Sequence, residues 1–262
     1  MPGSEEPGSS DDRDTTPSLG APLIIVYEDR DLMVVVKPAG MVMHPAYRHP
    51  DGTLWNVLAD LFAERGMPER PHLLHRLDRE TSGLVCVPKR LPAHRRLERM
   101  LREGRFEKRY LALVEGVSRI HGTIEEPLGR DPVDRRRVCV RADGQHAVTH
   151  FTALRRFDHY TLLRVLLETG RMHQIRAHLA HIGHPVAGDL AYGGGSAVSD
   201  RVFLHADRLS FPHPVTRLWI DCRAPLPPEL RLTLHRLHHM ARRDAFGCGP
   251  SAEGQIPLLR AT

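Results

Sequence analysis

The sequence predicts an α+β fold with a largely antiparallel mixed central sheet flanked by helices. Segments that read as strands outnumber those that read as helices, and several follow one another across short turns, as the strands of hairpins do. The regular alternation of strand and helix that builds a parallel sheet is missing from the pattern. The chain has 262 residues, 41% of them hydrophobic, which is enough to bury a full core.

The composition changes near both ends of the chain. Residues 1–20 are rich in Ser, Gly, Pro and Asp, and we expect a disordered acidic tail there because so few apolar side chains cannot offset the entropy of ordering. Residues 21–240 are expected to form one domain, and residues 241–262 a flexible tail. The start lacks the pattern of a signal peptide, and no apolar run approaches the roughly 20 residues of a membrane span, which predicts a cytoplasmic protein.

Charged residues are unevenly distributed. The formal net charge is +5, but residues 1–20 hold five acids and one arginine, a net of −4, so the remainder carries +9. An excess of Lys and Arg suits a phosphate-bearing partner, although alone it is a weak signal. The four cysteines lie far apart without a C-x-x-C pair, which favours reduced thiols over a zinc ribbon or a redox motif.

The domain is predicted to begin with a hairpin and an amphipathic helix. Residues 22–28 and 32–36 are rich in β-branched side chains, which predicts two strands that close at the turn of residues 37–40. Thr53 is a suitable N-cap for a helix whose apolar side chains share one face, which we expect to pack on the sheet. These side chains are Leu54, Val57, Leu58, Leu61 and Phe62.

A segment dense in charge and hydroxyl groups follows, at residues 75–84, with the sequence HRLDRETSGL. The apolar residues 73–74 before it and 84–87 after it read as short buried strands, which would place Asp78 on a turn at the edge of the sheet. Hydroxyl side chains can bond the local backbone and Gly83 can adopt a positive φ, so the turn can fix its own shape. Asp78 is a candidate catalytic carboxylate, and a structural turn is the plain alternative.

Helical and strand patterns alternate in the rest of the chain. Residues 91–103 predict a helix whose outward arginines (Arg95, Arg96, Arg99 and Arg102) we interpret as a solvated face rather than a track for RNA phosphates. Strands are predicted over residues 106–114, 137–141, 147–155, 160–167, 204–211 and 217–221. The arginine-rich connection at residues 129–136 is expected to form a basic loop over a cleft, and a last helix should begin at Pro227 or Pro228.

Residues 172–182 predict a helix with Ile175, Leu179 and Ile182 on one face, ended by Gly183. The segment is rich in histidine, and His178 and His181 are spaced to share a helix face. A metal site needs further ligands, and no carboxylate or cysteine lies at ligand spacing within the helix. We therefore expect no metal here.

Five blocks of the sequence resemble, in the same order, motifs of the RluA-type pseudouridine synthases. They are KPAG at residues 37–40, the HRLDRETSGL segment, KRYLALVEG at 108–116, GRMHQIR at 170–176, and LHA at 204–206 with FPHP at 211–214. Val36 departs from the family, which usually has Asn before the lysine of the first block. The resemblance covers residues 24 to 222, and it implies a catalytic domain with a central cleft and without the N-terminal S4 domain that many relatives carry.

The resemblance implies that the protein isomerises uridine to pseudouridine in RNA without a cofactor or metal. Asp78 would be the catalytic carboxylate, either attacking the sugar or abstracting its 2′ proton. Arg176 would form an ion pair that keeps Asp78 charged in a dry cleft. Tyr110 would lie against the base and assist removal of the C5 proton.

A uridine within a stem must be flipped out before it can react. Arg76 is placed to fill the vacated slot, and Leu204 resembles the family's apolar contact beneath the base. Four more residues of the matching blocks are expected to build the walls of the site. They are His75, Arg171, His173 and Gln174.

The expected partner is a stem-loop of ribosomal or transfer RNA, bound by a monomer. Residues 129–137 and 147–150 look closer to the large-subunit ribosomal branch of the family, which favours ribosomal RNA. Two other classes stay open: an RNA-binding module without activity, and a hydrolase that uses Asp78 or Ser82. No G-x-S-x-G surrounds Ser82, and a glycosidase needs a second carboxylate.

Overall fold

The computed structural model describes residues 23–46, 49–116 and 120–246, with side chains described up to residue 240. The predicted acidic tail at residues 1–20 and the residues after 246 lie outside this part of the chain. Within it, no helix is both long and apolar enough to cross a membrane.

Eleven strands and four α-helices are present in the described residues. The strands are β1 (Ile24–Glu28), β2 (Leu32–Lys37), β3 (Ser82–Pro88), β4 (Glu107–Glu115), β5 (His121–Glu125), β6 (Leu128–Arg130), β7 (Val138–Val140), β8 (Val148–Arg156), β9 (Tyr160–Leu167), β10 (Leu204–Pro212) and β11 (Trp219–Arg223). The helices are α1 (Leu54–Glu64), α2 (Leu91–Arg102), α3 (Gln174–His181) and α4 (Pro228–Phe246), and a short 3₁₀ helix spans Leu190–Tyr192.

The predicted α+β class and the mixed, mostly antiparallel sheet are confirmed. Nine strands form one sheet in the order β1-β2-β3-β10-β4-β9-β8-β5, with β11 also paired to β10, while β6 and β7 form a separate ribbon. The pairing of β10 with β3 is parallel, and the other pairings in the sheet are antiparallel. Because β10 joins β3 to β4, it brings the segment before β3 next to β4.

The sheet is covered on both faces around β2 and β3. Met33 and Val35 belong to the core cluster that includes α1, whereas Leu32 and Val34 belong to the cluster that includes α2. The alternation of side chains along a strand sends neighbouring residues to opposite faces, and here both faces are apolar. Of the five side chains predicted to share the packed face of α1, Leu54, Leu58 and Phe62 are buried, whereas Val57 and Leu61 are half-buried. Thr53 caps this helix through its hydroxyl.

The predicted strand at residues 73–74 and the edge position of Asp78 are both wrong. Leu74 N–H donates one backbone hydrogen bond to the Cys86 carbonyl, but residues 73–74 form no strand. Strand β3 lies between β2 and β10, so Asp78 precedes a central strand, and every residue of β3 is buried.

Other boundaries also differ from the sequence pattern. Helix α3 begins at Gln174 because His173 adopts a left-handed conformation, with φ of 50°, and Ile182 is 37% exposed instead of buried. Helix α4 continues to Phe246, past the boundary expected at residue 240. The sequence pattern also missed β5, where Ile124 is the one buried residue, and the three-residue strand β6.

Candidate active site

A cleft of about 490 Å³ lies where the turn before β3, the end of α2, β4, the end of β9 and the start of α3 meet. All nine side chains that the sequence singled out line it. They are His75, Arg76, Asp78, Tyr110, Arg171, His173, Gln174, Arg176 and Leu204.

The turn that carries Asp78 is clamped by a buried lysine. Lys37 Nζ donates hydrogen bonds to the carbonyls of Pro38 (2.8 Å), Met41 (2.9 Å) and Arg79 (3.1 Å), and Gly40 N–H donates to the same Arg79 carbonyl. Burial lowers the pKa of Lys37 to about 7, although the charges of nearby acids oppose the shift. The first and second sequence blocks therefore form one structural unit, in which the lysine fixes the backbone beside Asp78.

A second clamp holds the other end of this turn. Arg201 donates to the Glu80 carbonyl (3.2 Å) and to the Ser82 hydroxyl (3.1 Å). His205 Nε2 lies 3.2 Å from the Ala224 carbonyl, so it carries the proton, and Nδ1 accepts from the Ser82 hydroxyl at 2.9 Å. Ser82 is buried and outside the cleft lining, which argues against its use as a nucleophile.

Three charged side chains form a row at the cleft: Asp78 and Arg176 line it, and Asp189 is buried behind Arg176. Arg176 Nη1 lies 3.6 Å from Asp78 Oδ2, while its Nε and Nη2 donate to the two oxygens of Asp189 at 2.6 and 2.8 Å. The structure thus brings Arg176 and Asp78 together, but the hydrogen bonds of the guanidinium go to Asp189. Burial alone would lower the pKa of Arg176, but the hydrogen bonds with Asp189 and the charge of both carboxylates raise it.

His173 approaches the other carboxylate oxygen of Asp78. Its Nε2 lies 4.0 Å from Asp78 Oδ1, and its Nδ1 lies 3.0 Å from the Tyr192 hydroxyl. Because the Tyr192 oxygen accepts from Val138 N–H, its proton is available to His173 Nδ1, and the histidine proton then belongs on Nε2. Burial lowers the pKa of His173, which favours this neutral form, although the charge of Asp78 opposes the shift.

Tyr110 and Leu204 supply the apolar floor of the cleft. Tyr110 lies on β4 and is 6% exposed, and Leu204 begins the adjacent strand β10 and is 3% exposed. Burial, followed by the charge of Asp78, raises the pKa of Tyr110, so its phenol stays neutral at physiological pH. A planar ring can lie on this surface within reach of the Asp78 carboxylate.

Three other predicted residues differ in what their polar groups contact. Arg76 is exposed and makes no hydrogen bond or ion pair with another described residue. Arg171 donates to the His146 carbonyl. The Gln174 side-chain nitrogen donates to the Val148 carbonyl and the Thr149 hydroxyl. Its side-chain oxygen accepts from the Thr169 hydroxyl and the Arg171 N–H. Arg76 is therefore available to a ligand, whereas Gln174 serves the wall of the cleft.

The arginine-rich connection lies beside the cleft rather than over it. Arg137 packs on one Tyr192 ring face at 4.9 Å and Arg176 also packs on this ring at 5.0 Å. No residue from 129 to 137 is among those that line the cleft. The predicted position of this loop is corrected accordingly, since its contact with the site runs through Tyr192.

Two places in the described residues hold side chains that could bind a metal: His178 in α3, and the cluster of Asp29, Asp31 and His213. His178 is buried and bonds Thr149 Oγ1 and the Glu126 carbonyl. Asp29, Asp31 and His213 lie close enough to share an ion, outside the cleft. However, His213 Nδ1 accepts from the N–H groups of residues 215 and 216, so Nε2 carries the proton and has no lone pair for a metal.

Sequence reasoning missed several residues that organise the site, chiefly Asp189, Tyr192 and Arg201. Asp189 is 1% exposed and is the one charged residue in the stretch PVAGDLAY, so an acid in an apolar context was a usable signal. Arg201 had no comparable signal, because the Glu80 carbonyl, the Ser82 hydroxyl and the Glu229 carboxylate that it binds are all distant in sequence.

Comparison with known proteins gives concordant matches. The profile of a family described as RNA pseudouridylate synthase matches residues 31–181. An RNA pseudouridine synthase of Bacillus subtilis, YlyB, whose name calls it uncharacterized, is 44% identical over 221 residues, covering 82% of this chain and 73% of its own. Ribosomal large subunit pseudouridine synthase D of Haemophilus ducreyi is 40% identical over 222 residues, covering 79% and 68%.

A solved structure agrees with these sequence matches. Human RNA pseudouridylate synthase domain containing 1 superposes with a TM-score of 0.67 at 28% identity, covering 95% of this chain and 100% of that one.

Proposed function

We propose a site chemistry and a substrate from one premise: this chain belongs to the RluA-type family of RNA pseudouridine synthases, which isomerise uridine to pseudouridine in RNA. The reaction breaks the N1–C1′ bond of uridine and forms a C5–C1′ bond. The base loses the proton on C5 and gains one on N1, so the atoms balance without an oxidant, a reductant or a cofactor. Water must be excluded, because it would capture the sugar intermediate.

Asp78 is proposed as the catalytic carboxylate, acting on C1′ or on the 2′ proton of the sugar. The observation that carries this role is its position in the cleft beside Arg176, whose other two donors are held by Asp189. The two hydrogen bonds to Asp189 hold the guanidinium beside the Asp78 carboxylate, so the cation faces the site of the reaction. Tyr110 is proposed to hold the detached base and assist loss of the C5 proton.

The test is Asp78→Asn, with Glu80→Gln in the same turn as the matched control. We expect Asp78→Asn to abolish pseudouridine formation while RNA affinity stays within a few-fold of wild type, because phosphate contacts supply most of the affinity. Glu80→Gln should keep near-normal turnover. Isomerisation by Asp78→Asn above a tenth of the wild-type rate would refute the role, and RNA cleavage by the wild type would favour a hydrolase.

Arg76 is proposed to occupy the slot that a flipped uridine leaves in a stem. It is exposed, lines the cleft and makes no hydrogen bond or ion pair with another described residue. Arg76→Ala should slow modification of a hairpin by about tenfold more than that of a linear RNA, because only a paired uridine costs a few kcal/mol to flip out. Equal losses on both RNAs would assign Arg76 to general phosphate binding.

Ribosomal RNA is the proposed substrate, and the protein is proposed to act as a cytoplasmic monomer. The relative from Haemophilus ducreyi is named for the large ribosomal subunit, which supports this choice. We expect the described domain to bind RNA with its own surface. Compact domains recognise RNA through its shape and through bases splayed out of loops, so a local stem-loop should suffice as the substrate. Mapping pseudouridines in cells with and without the protein tests this. Loss of a transfer RNA site alone would replace the ribosomal assignment and leave the reaction standing.

A further inference from the structure

Lysine is rare in this chain, and one of its lysines has no partner. Among 37 basic residues other than histidine, three are lysines: Lys37, Lys89 and Lys108. Lys37 donates to three carbonyls, and Lys89 binds the Glu28 carboxylate and the Asp29 carbonyl. The side chain of Lys108 lines the cleft but makes no hydrogen bond or ion pair with any other described residue, and only its backbone is paired, with β9 and β10.

His75 adds a second unpartnered donor to the same wall of the cleft. Its Nε2 accepts the Cys86 N–H at 3.1 Å, so the proton of the neutral ring is on Nδ1. His75 Nδ1 is buried without a hydrogen-bond partner. Burial, and then the positive charge of Lys108, lowers the pKa of His75 to about 3, so this ring stays neutral.

The acids near this wall are engaged elsewhere. Asp78 faces Arg176 and His173, and the Glu168 carboxylate lies 2.6 Å from His150 Nε2. Burial lowers the pKa of Lys108, with no carboxylate to offset it. A half-buried cation without a partner is partly desolvated at a cost to the fold, so an anion brought by the ligand would relieve an existing penalty.

The position of Lys108 on β4 indicates which anion fits. Lys108 and Tyr110 are two residues apart and on the same face of the strand, which separates them by roughly 7 Å. If the base lies against Tyr110, as the proposed function requires, Lys108 is near the backbone of the same nucleotide. We propose that Lys108, next to the neutral ring of His75, binds one phosphate that flanks the flipped uridine.

This inference rests on the proposed function, so the experiment measures binding separately from turnover. The probe is a hairpin RNA around the mapped uridine, with an uncharged methylphosphonate at one backbone position at a time. Affinities are measured for the Asp78→Asn protein with Lys108 intact or changed to Gln. With Lys108 intact, one methylphosphonate next to the target should weaken binding about tenfold. With Lys108→Gln the unmodified RNA should bind about tenfold more weakly, and that methylphosphonate should add nothing.

Lys89→Gln, outside the cleft, is the control and should retain the response to methylphosphonates. Lys108→Gln should also unfold at a slightly higher temperature than its parent, because it removes an unpaired, half-buried charge. The phosphate assignment would be overturned if each methylphosphonate weakened RNA binding equally in the proteins with and without Lys108. It would also be overturned if Lys108→Gln bound the unmodified RNA with unchanged affinity. A wild-type protein that binds the hairpin but makes no pseudouridine would refute the proposed function and leave the binding result readable.

Discussion

At the scale of single residues, the site depends on one arginine that serves two carboxylates. The fork of Arg176 binds Asp189 through Nε and Nη2, which leaves Nη1 to face Asp78 at 3.6 Å. A planar guanidinium with a bidentate anchor has a fixed direction, which a lysine lacks. Asp189 is therefore a positioning residue that acts on Asp78 through Arg176.

Asp189→Asn should reduce turnover by about a hundredfold, because a loosened Arg176 no longer holds its geometry against Asp78. The variant should also lose roughly 3–5 kcal/mol of unfolding free energy, as broken buried ion pairs do. Asp207→Asn is the matched control, since Asp207 binds the Arg109 fork (Nη2 to Oδ2, 2.6 Å) away from the cleft. It should lose similar stability and keep the turnover of its folded fraction. Similar activity losses in both variants would contradict the positioning role.

At the scale of elements, the parallel pairing of β3 with β10 fixes the site. It places His205 and Ala206 against Ser82 and Gly83, immediately after the Asp78 turn. Gly83 has φ of 125°, and a Cβ there would lie 2.3 Å from the Ala206 carbonyl oxygen. The glycine of the second block and the alanine of the LHA block are thus two sides of one close backbone contact.

Gly83→Ala should destabilise the protein by roughly 3 kcal/mol or more, because it adds both a backbone clash and an unfavourable φ. Gly66→Ala is the control, with φ of 63° and no atom within 4 Å of the added Cβ, and it should cost only about 1 kcal/mol. Urea unfolding of the three proteins gives the comparison. A Gly83→Ala variant no less stable than Gly66→Ala would show that the strands separate easily here.

At the scale of the whole molecule, several histidines are buried in the neutral form. Burial lowers the pKa of His75 to about 3, and it lowers the pKa of His178 and His205 as well. An unfolded histidine has a pKa near 6.5, so below that pH the unfolded chain binds more protons than the folded one. The stability that these groups contribute is present above pH 6.5 and is lost as the pH falls toward their folded values.

The free energy of unfolding should therefore decrease between pH 6 and pH 4.5. The paired carboxylates with lowered pKa, such as the exposed Glu28 and the half-buried Asp29, become important only at lower pH. His75→Gln should reduce the slope by up to about 1.4 kcal/mol per pH unit, the full linkage of one proton. His159→Gln, at an exposed position, should keep the wild-type slope. Chemical unfolding at a series of pH values measures both, and an unchanged slope in His75→Gln would contradict buried neutral histidine as the cause.

The sequence by itself determined much of the architecture and the members of the site. Alternating and helical patterns predicted β1, β2, β4, α1 and α2 because hydrophobic burial imposes a local period on each element. The motif blocks identified nine residues that all line one cleft, including Asp78, Tyr110 and Arg176.

Only the tertiary structure decided how these residues are held. It paired Arg176 with Asp189, clamped the Asp78 turn with Lys37 and Arg201, and left Lys108 without a partner. It also put β3 in the middle of the sheet, because β10 returns from more than a hundred residues later to cover its free edge. A local period records which side chains are buried. It carries no information about which distant donor meets which acceptor, and that depends on how the elements pack.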